Sequence, residues 1–167
     1  MTEYSKGVSM VLGPDDGDSF WQPLPSTGYA TNKITPYNSP HDDFSIGIQV
    51  LEPGAHIRRH AHERNHEILF CYAGTGSAEV DGRQYDVTAE TMILIGRGAI
   101  HKVTNTGDRQ MRLLWAIWPA GLEDWFQDIG KPRQPKEPMP PAFDRPRNIE
   151  QIEAQQRFLQ LQLSDDD

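Results

Sequence analysis

Through the middle of the chain, apolar and polar residues alternate in short runs. Phe44, Ile46, Ile48 and Val50 are separated by Ser45, Gly47 and Gln49, the period-two pattern of a half-buried strand, and Pro53-Gly54 ends it. Residues 67–73 form a nearly all-apolar run bounded by Gly74 and Gly76. Residues 77–80 and 83–87 flank Asp81-Gly82, a two-residue hairpin signal. Runs 91–95, 100–104 and 111–118 follow, separated by Gly96-Arg97-Gly98 and Asn105-Thr106-Gly107-Asp108. Short strands with turns this frequent predict an all-β sandwich or barrel.

Outside that region the pattern changes. Residues 1–43 are rich in Gly, Pro, Ser, Asp and Thr and read as an arm lying over the domain, with short strands at most. Residues 122–129 read as a short helix ended by Gly130. Residues 131–146 are proline-rich and read as an extended connector. Asn148 is placed to cap a final helix with Ile149, Ile152, Gln156 and Leu159 on one face. The tail, Ser164 to Asp167, reads as frayed and solvated. The partition is therefore a single domain over 1–167: arm 1–43, barrel core 44–118, and connector with helices over 119–167.

Composition narrows the setting. A chain of 167 residues fits one domain with a real core. A formal net charge of −8, with no basic run to offset it, argues against nucleic-acid and acidic-membrane partners. Cys71 is the one cysteine, so no internal disulfide forms. The start, Met1 to Lys6, lacks an apolar stretch of signal-peptide length, and no run is long enough to span a membrane. The expectation is a soluble, cytoplasmic protein.

The chemistry lies in two blocks. In the first, His60 and His62 are two apart and share a strand face. Glu67 has the wrong parity for the same uninterrupted strand, so a turn at Glu63-Arg64-Asn65 must return the chain. In the second, His101 lies between Gly98 and Asn105. Three imidazoles and a carboxylate suit a divalent transition metal. Glu67 also has a catalytic reading, as a carboxylate that leaves the metal and accepts a substrate proton.

The first block, from Gly54 through His60, His62 and Glu67 to Gly74, resembles the first cupin motif at each diagnostic position. The second resembles the second cupin motif at Gly98, His101 and Asn105. It departs at Gly96, where the motif has proline, and at Glu90-Thr91, where it has Gly-Asp. The segment from Pro119 to Phe126 is similar to the one following the barrel in single-domain bacterial cupins of the quercetin-dioxygenase-like kind. The resemblance implies a jelly-roll barrel holding a metal on His60, His62, Glu67 and His101. It also implies one divalent ion per chain: iron first, with manganese, nickel, zinc and copper suiting the same set. The family includes oxygenases, decarboxylases, isomerases, lyases and non-enzymatic proteins; the three-nitrogen, one-oxygen ligand set with a position left open and a largely apolar lining points to a dioxygenase acting on a small, partly apolar enol, phenol or diketone. The alternatives are a non-oxidative lyase or isomerase of a carbohydrate or keto acid, and a non-catalytic binding cupin.

Other residues carry weaker readings. His66 has opposite parity to Glu67 and should face away from the metal. His56 reads as a loop or pocket-rim histidine, and His41 as incidental. Cys71 shares Glu67's parity and reads as interior packing. Tyr72, Trp115 and Trp118 read as packing, with one of the tryptophans a candidate pocket wall. Arg58 and Arg97 are candidates for meeting an anionic substrate. Phe20, Trp21, Ile149, Ile152 and Leu159 give the arm and last helix more apolar side chains than the barrel requires. A homodimer built by sheet packing and arm exchange, binding a small-molecule substrate, is the expected assembly.

Overall fold

The computed structural model describes residues 7–159. The Met1–Lys6 start and the Ser164–Asp167 tail lie outside the described residues. Eleven strands and two helices follow in the order β1(Asp18–Gln22), β2(Gly28–Ile34), β3(Ser45–Leu51), β4(His56–His60), β5(His66–Ala73), β6(Gly76–Val80), β7(Arg83–Val87), β8(Met92–Ile95), β9(His101–Asn105), β10(Met111–Trp118), α1(Leu122–Ile129), β11(Lys131–Pro132) and α2(Ile149–Gln155). They form a seven-stranded sheet ordered β11-β1-β2-β3-β10-β5-β8 and a four-stranded sheet ordered β4-β9-β6-β7, with every strand pair antiparallel. Chain neighbours β4 and β5 lie in different sheets, so the turn after His62 carries the chain from one wall of the barrel to the other. Among the described residues, no helix is long and apolar enough to cross a membrane.

Alternation places the core. Glu67, Leu69 and Cys71 of β5, His101, Val103 and Asn105 of β9, and Met111, Leu113, Trp115 and Ile117 of β10 are all buried between the sheets. Trp115 is fully buried, and its ring centroid lies 5.4 Å from that of Phe126 on α1. Removing either ring would cost about 3–5 kcal/mol, the usual loss for deleting a buried aromatic. The intervening residues face outward, and across β3, β10, β5 and β8 two rows of them are apolar as well. Register aligns Ile48, Leu114, Phe70 and Met92 in one row and Ile46, Ala116, Ile68 and Leu94 in the next. Met92 and Leu94 are 64% and 67% exposed.

The segment read as an arm contributes two full strands. β2 pairs with β3 along its length, β1 pairs with β2, and Phe20 and Trp21 are buried within this chain. Polar interior residues hide these strands in the sequence. Asn32 Nδ2 donates to Glu123 O (3.1 Å) and Gln22 Nε2 to Phe126 O (3.3 Å), so their amides bind α1 to the sheet. The connector is irregular apart from β11, which pairs with Phe20 and Trp21. The last helix begins after Asn148, whose side chain makes no capping bond, and it stops at Gln155. Arg157 then takes a left-handed φ of 55°, which turns Phe158 and Leu159 out of the helix and alongside residues 61–63.

The motif glycines mark turns that need them. Gly54, Gly74 and Gly98 have φ of 79°, 90° and 74°. A Cβ on Gly74 would lie 2.7 Å from Gln110 O and Met111 Cα. Glu90, standing where the motif has glycine, still adopts φ 72°. That departure places a side chain in a conformation that is costly for residues other than glycine.

Candidate metal centre

His60, His62, Glu67 and His101 converge at one end of the barrel, and one ligand atom from each lies within 4.8 Å of all the others. Donors about 2.1 Å from a shared ion lie roughly 3–4 Å apart, so the cluster is of the right size. β4 ends on His60 and pairs it with His101 across the ladder after a register shift between Ile57 and His60. Residues 63–65 form the turn that brings Glu67 back from the other sheet.

Hydrogen bonds aim the rings. His60 Nδ1 lies 2.8 Å from Arg58 O, and His101 Nδ1 lies 3.1 Å from Ala99 O. A carbonyl acceptor places the proton on Nδ1 and leaves the Nε2 lone pair pointing into the cluster. His62 Nε2 is 3.2 Å from Glu67 Oε2, and His101 Nε2 is 3.4 Å from the same oxygen. His101 is 1% exposed, and its Nε2 has no hydrogen-bond partner. A buried nitrogen without a partner, directed at a carboxylate and two further imidazoles, is what a metal ligand presents, so the residues fit a divalent ion.

The electrostatics agree. Burial alone would push the Glu67 carboxyl up. The His101 and His62 imidazoles beside it more than offset burial and hold Glu67 well below the usual carboxylate range. Burial, then the neighbouring His101 and His62, hold His60 well below the ordinary imidazole range despite the opposing Glu67 charge. An ionised carboxylate beside a neutral imidazole is the protonation state a metal requires.

His60, Glu67 and His101 form the base of a pocket walled by Leu69, Trp125, Phe126 and Phe158, with Arg58, Arg145 and Glu153 toward its mouth. Phe158 packs edge-on against His60 and Trp125, with centroids 5.3 Å and 4.8 Å away. His62 lies behind Phe158 at 5.2 Å.

The weaker readings divide. His66 faces outward and stacks on Trp118 at 5.7 Å, as its parity requires. His41 stacks on Phe44, and His56 is half-buried at the start of β4. Cys71 is buried, with Sγ 3.4 Å from Ala73 O. Tyr72 lies on the outer face at 37% exposure. Arg58 lines the pocket, whereas Arg97 is exposed and does not. Neither Trp115 nor Trp118 lines the pocket, and Trp125 provides that wall. Trp125 had a sequence signal in the amphipathic run 122–129. Phe158, Arg145 and Glu153 had none, because only long-range packing brings them there.

Residues 47–117 match the family described as "Cupin domain". SchB of Streptomyces halstedii is 27% identical over 86 residues, covering 52% of this chain and 62% of that protein. The polyketide synthase CurC of Streptomyces cyaneus is 24% identical over 74 residues, covering 44% of this chain and 48% of that protein. The chain thus spans between about half and three-fifths of these relatives. Among solved structures, a predicted oxalate decarboxylase from Thermotoga maritima superposes with a TM-score of 0.58 at 19% identity, covering 65% of this chain and 98% of that one, which is a likeness of fold. With the barrel, the two motif blocks and the domain match in agreement, residues 47–117 form a cupin domain.

Proposed function

We propose that this chain is a metal-dependent dioxygenase acting on a small, partly apolar enol, phenol or diketone. The observation that carries the reading is that three of the four clustered ligands, His60, Glu67 and His101, line a pocket with aromatic and aliphatic walls. One curated relative is called a polyketide synthase, which directs attention to enolisable diketones and phenols as test substrates. A bound divalent transition metal would supply a Lewis acid for a substrate oxygen and, as iron, redox chemistry with O2.

The chain's own residues would do the rest. His60, His62, Glu67 and His101 hold the ion. Leu69, Trp125, Phe126 and Phe158 exclude water and bury the substrate body. Of the two roles open to Glu67, its depressed pKa favours the ligand. A carboxylate held this acidic is a weak base until it loses its histidine partners. Oxygen consumption by iron-loaded protein with flavonols, catechols and 1,3-diketones tests the reading, and absence of uptake with every class contradicts the oxygenase. A keto-acid lyase or isomerase is the second reading, favoured by the arginines at the pocket mouth, and turnover without oxygen would select it.

We also propose a homodimer formed through the outer face of the seven-stranded sheet. Phe20, Trp21 and Ile152 pack within the chain. The apolar rows ending at Met92 and Leu94 remain. A dimeric mass in light scattering, reduced to monomer by Leu94→Arg, is expected, and a monomeric parent protein contradicts it.

A further inference from the structure

Arg58 and Arg145 stand over the pocket whose base holds His60, Glu67 and His101. Arg58 comes from β4. Arg145 comes from the connector, which is held to the β1–β2 turn by a bond from Leu24 N to Phe143 O (2.9 Å). Both guanidinium groups bind one atom, Oε1 of Glu153 on α2, with Arg145 Nη1 at 3.4 Å. All three side chains are largely shielded, at 17%, 26% and 17% exposure for Arg58, Arg145 and Glu153.

Two cations on one carboxylate leave an excess positive charge facing the pocket. No second carboxylate among the described residues is paired with either arginine, whereas Arg59 is neutralised separately by Glu79 at 2.9 Å. Burial, and after it the Arg58 charge, hold Arg145 below the usual guanidinium range despite the opposing Glu153 charge. This local excess runs against the −8 charge of the chain as a whole. Each guanidinium carries five N–H donors in a planar fork and gives one to Glu153, leaving donors in a geometry that suits a carboxylate.

We propose that Arg58 and Arg145 form a carboxylate-recognition site, so that the pocket takes a small organic acid whose apolar body lies against Trp125 and Phe158. The proposal rests on the pocket being the substrate site. Glu153 is its built-in competitor, sharing the fork with the ligand's carboxylate.

The test is calorimetric titration of the full chain, metal-free and zinc-loaded, with 1-naphthylacetate, its neutral isostere 1-naphthylacetamide, and 1-naphthyl phosphate. The acid should bind about 10-fold more tightly than the amide in both forms, the usual scale of a charge-assisted bond. Arg145→Gln should erase that preference without weakening the amide. Glu153→Gln should tighten the acid several-fold, the opposite of what loss of a purely structural ion pair would do. Equal affinities for acid and amide overturn the proposal while leaving the pocket as a binding site. Binding of neither overturns the proposal together with the substrate-site reading. A preference for the phosphate overturns the assignment to carboxylates, and weaker acid binding by Glu153→Gln assigns the three charges to holding α2 in place.

Discussion

β9 carries two buried polar residues on the same inward face, four positions apart, and they do opposite things. Asn105, at one end, is wholly buried. Its Nδ2 donates to Leu51 O at 2.9 Å and Arg109 O at 2.8 Å, and its Oδ1 accepts from Gly107 N at 3.0 Å. His101, at the other end, has one ring nitrogen bound to a backbone carbonyl and the other bound to nothing. β5 repeats the contrast, with Glu67 in the cluster at one end and Cys71 in apolar packing toward the other. Burial alone therefore does not mark a functional group. A buried polar atom whose capacity is filled holds the fold, while one whose capacity is left open at a convergence of ligands marks the site.

The largest effect should follow from His101→Ala. Metal affinity should fall by more than ~100-fold, beyond the loss typical of second-shell changes, while the metal-free protein unfolds at nearly the same urea concentration. A large loss of metal-free stability would make His101 structural and erase the contrast. Asn105→Ala should do the reverse. Stripping buried backbone groups of three bonds should cost about 2–4 kcal/mol, with metal affinity changed only a few-fold, as read by urea unfolding and metal titration.

The two ends should also differ in pH response. His60 is held below its ordinary range, so near neutrality the unfolded chain binds more protons than the metal-free fold. The stability this contributes is complete above the unfolded imidazole value of about 6.5 and is lost as pH falls toward the lower folded value. Glu67, also depressed, adds a loss below about 4.3. Urea midpoints of metal-free protein should therefore decline from pH 7.5 to 5, less so in His60→Gln and unchanged in slope in Asn105→Ala. An unaltered slope in His60→Gln would contradict the assignment.

The smallest effect concerns the turn at the Cys71 end. Glu90 at φ 72° donates its N–H to Cys71 O at 2.7 Å. Glu90→Gly should stabilise the fold by about 1 kcal/mol, from relief of a left-handed conformation partly offset by glycine's entropy. A destabilised variant would show that the Glu90 side chain contributes something the turn needs.

The ligands were legible in the sequence because parity encodes direction. His60 and His62 had to share a face, Glu67 had to follow a turn, and the hairpin at Asp81-Gly82 fixed the register of β6 and β7. β1 and β2 were not legible as core strands, because Gln22, Thr31 and Asn32 put polar side chains where a strand signature expects apolar ones. The Gln22 and Asn32 amides bind the helix that walls the pocket, information held in α1 and not in the strands. Phe158, Arg145 and Glu153 were invisible for a related reason. They reach the site through pairing of residues 61–63 with the chain after α2 and through the connector's bond to the β1–β2 turn, neither of which leaves a local pattern.

The open valence shared by His60, His62, Glu67 and His101 is a candidate metal site. Elemental analysis of protein purified without chelator, on the parent chain and His101→Ala side by side, tests it most directly. Close to one first-row transition metal ion per parent chain, and a small fraction of that in the variant, are expected. A parent protein that carries no metal and takes up none on titration, or a variant that retains the full complement, would contradict it.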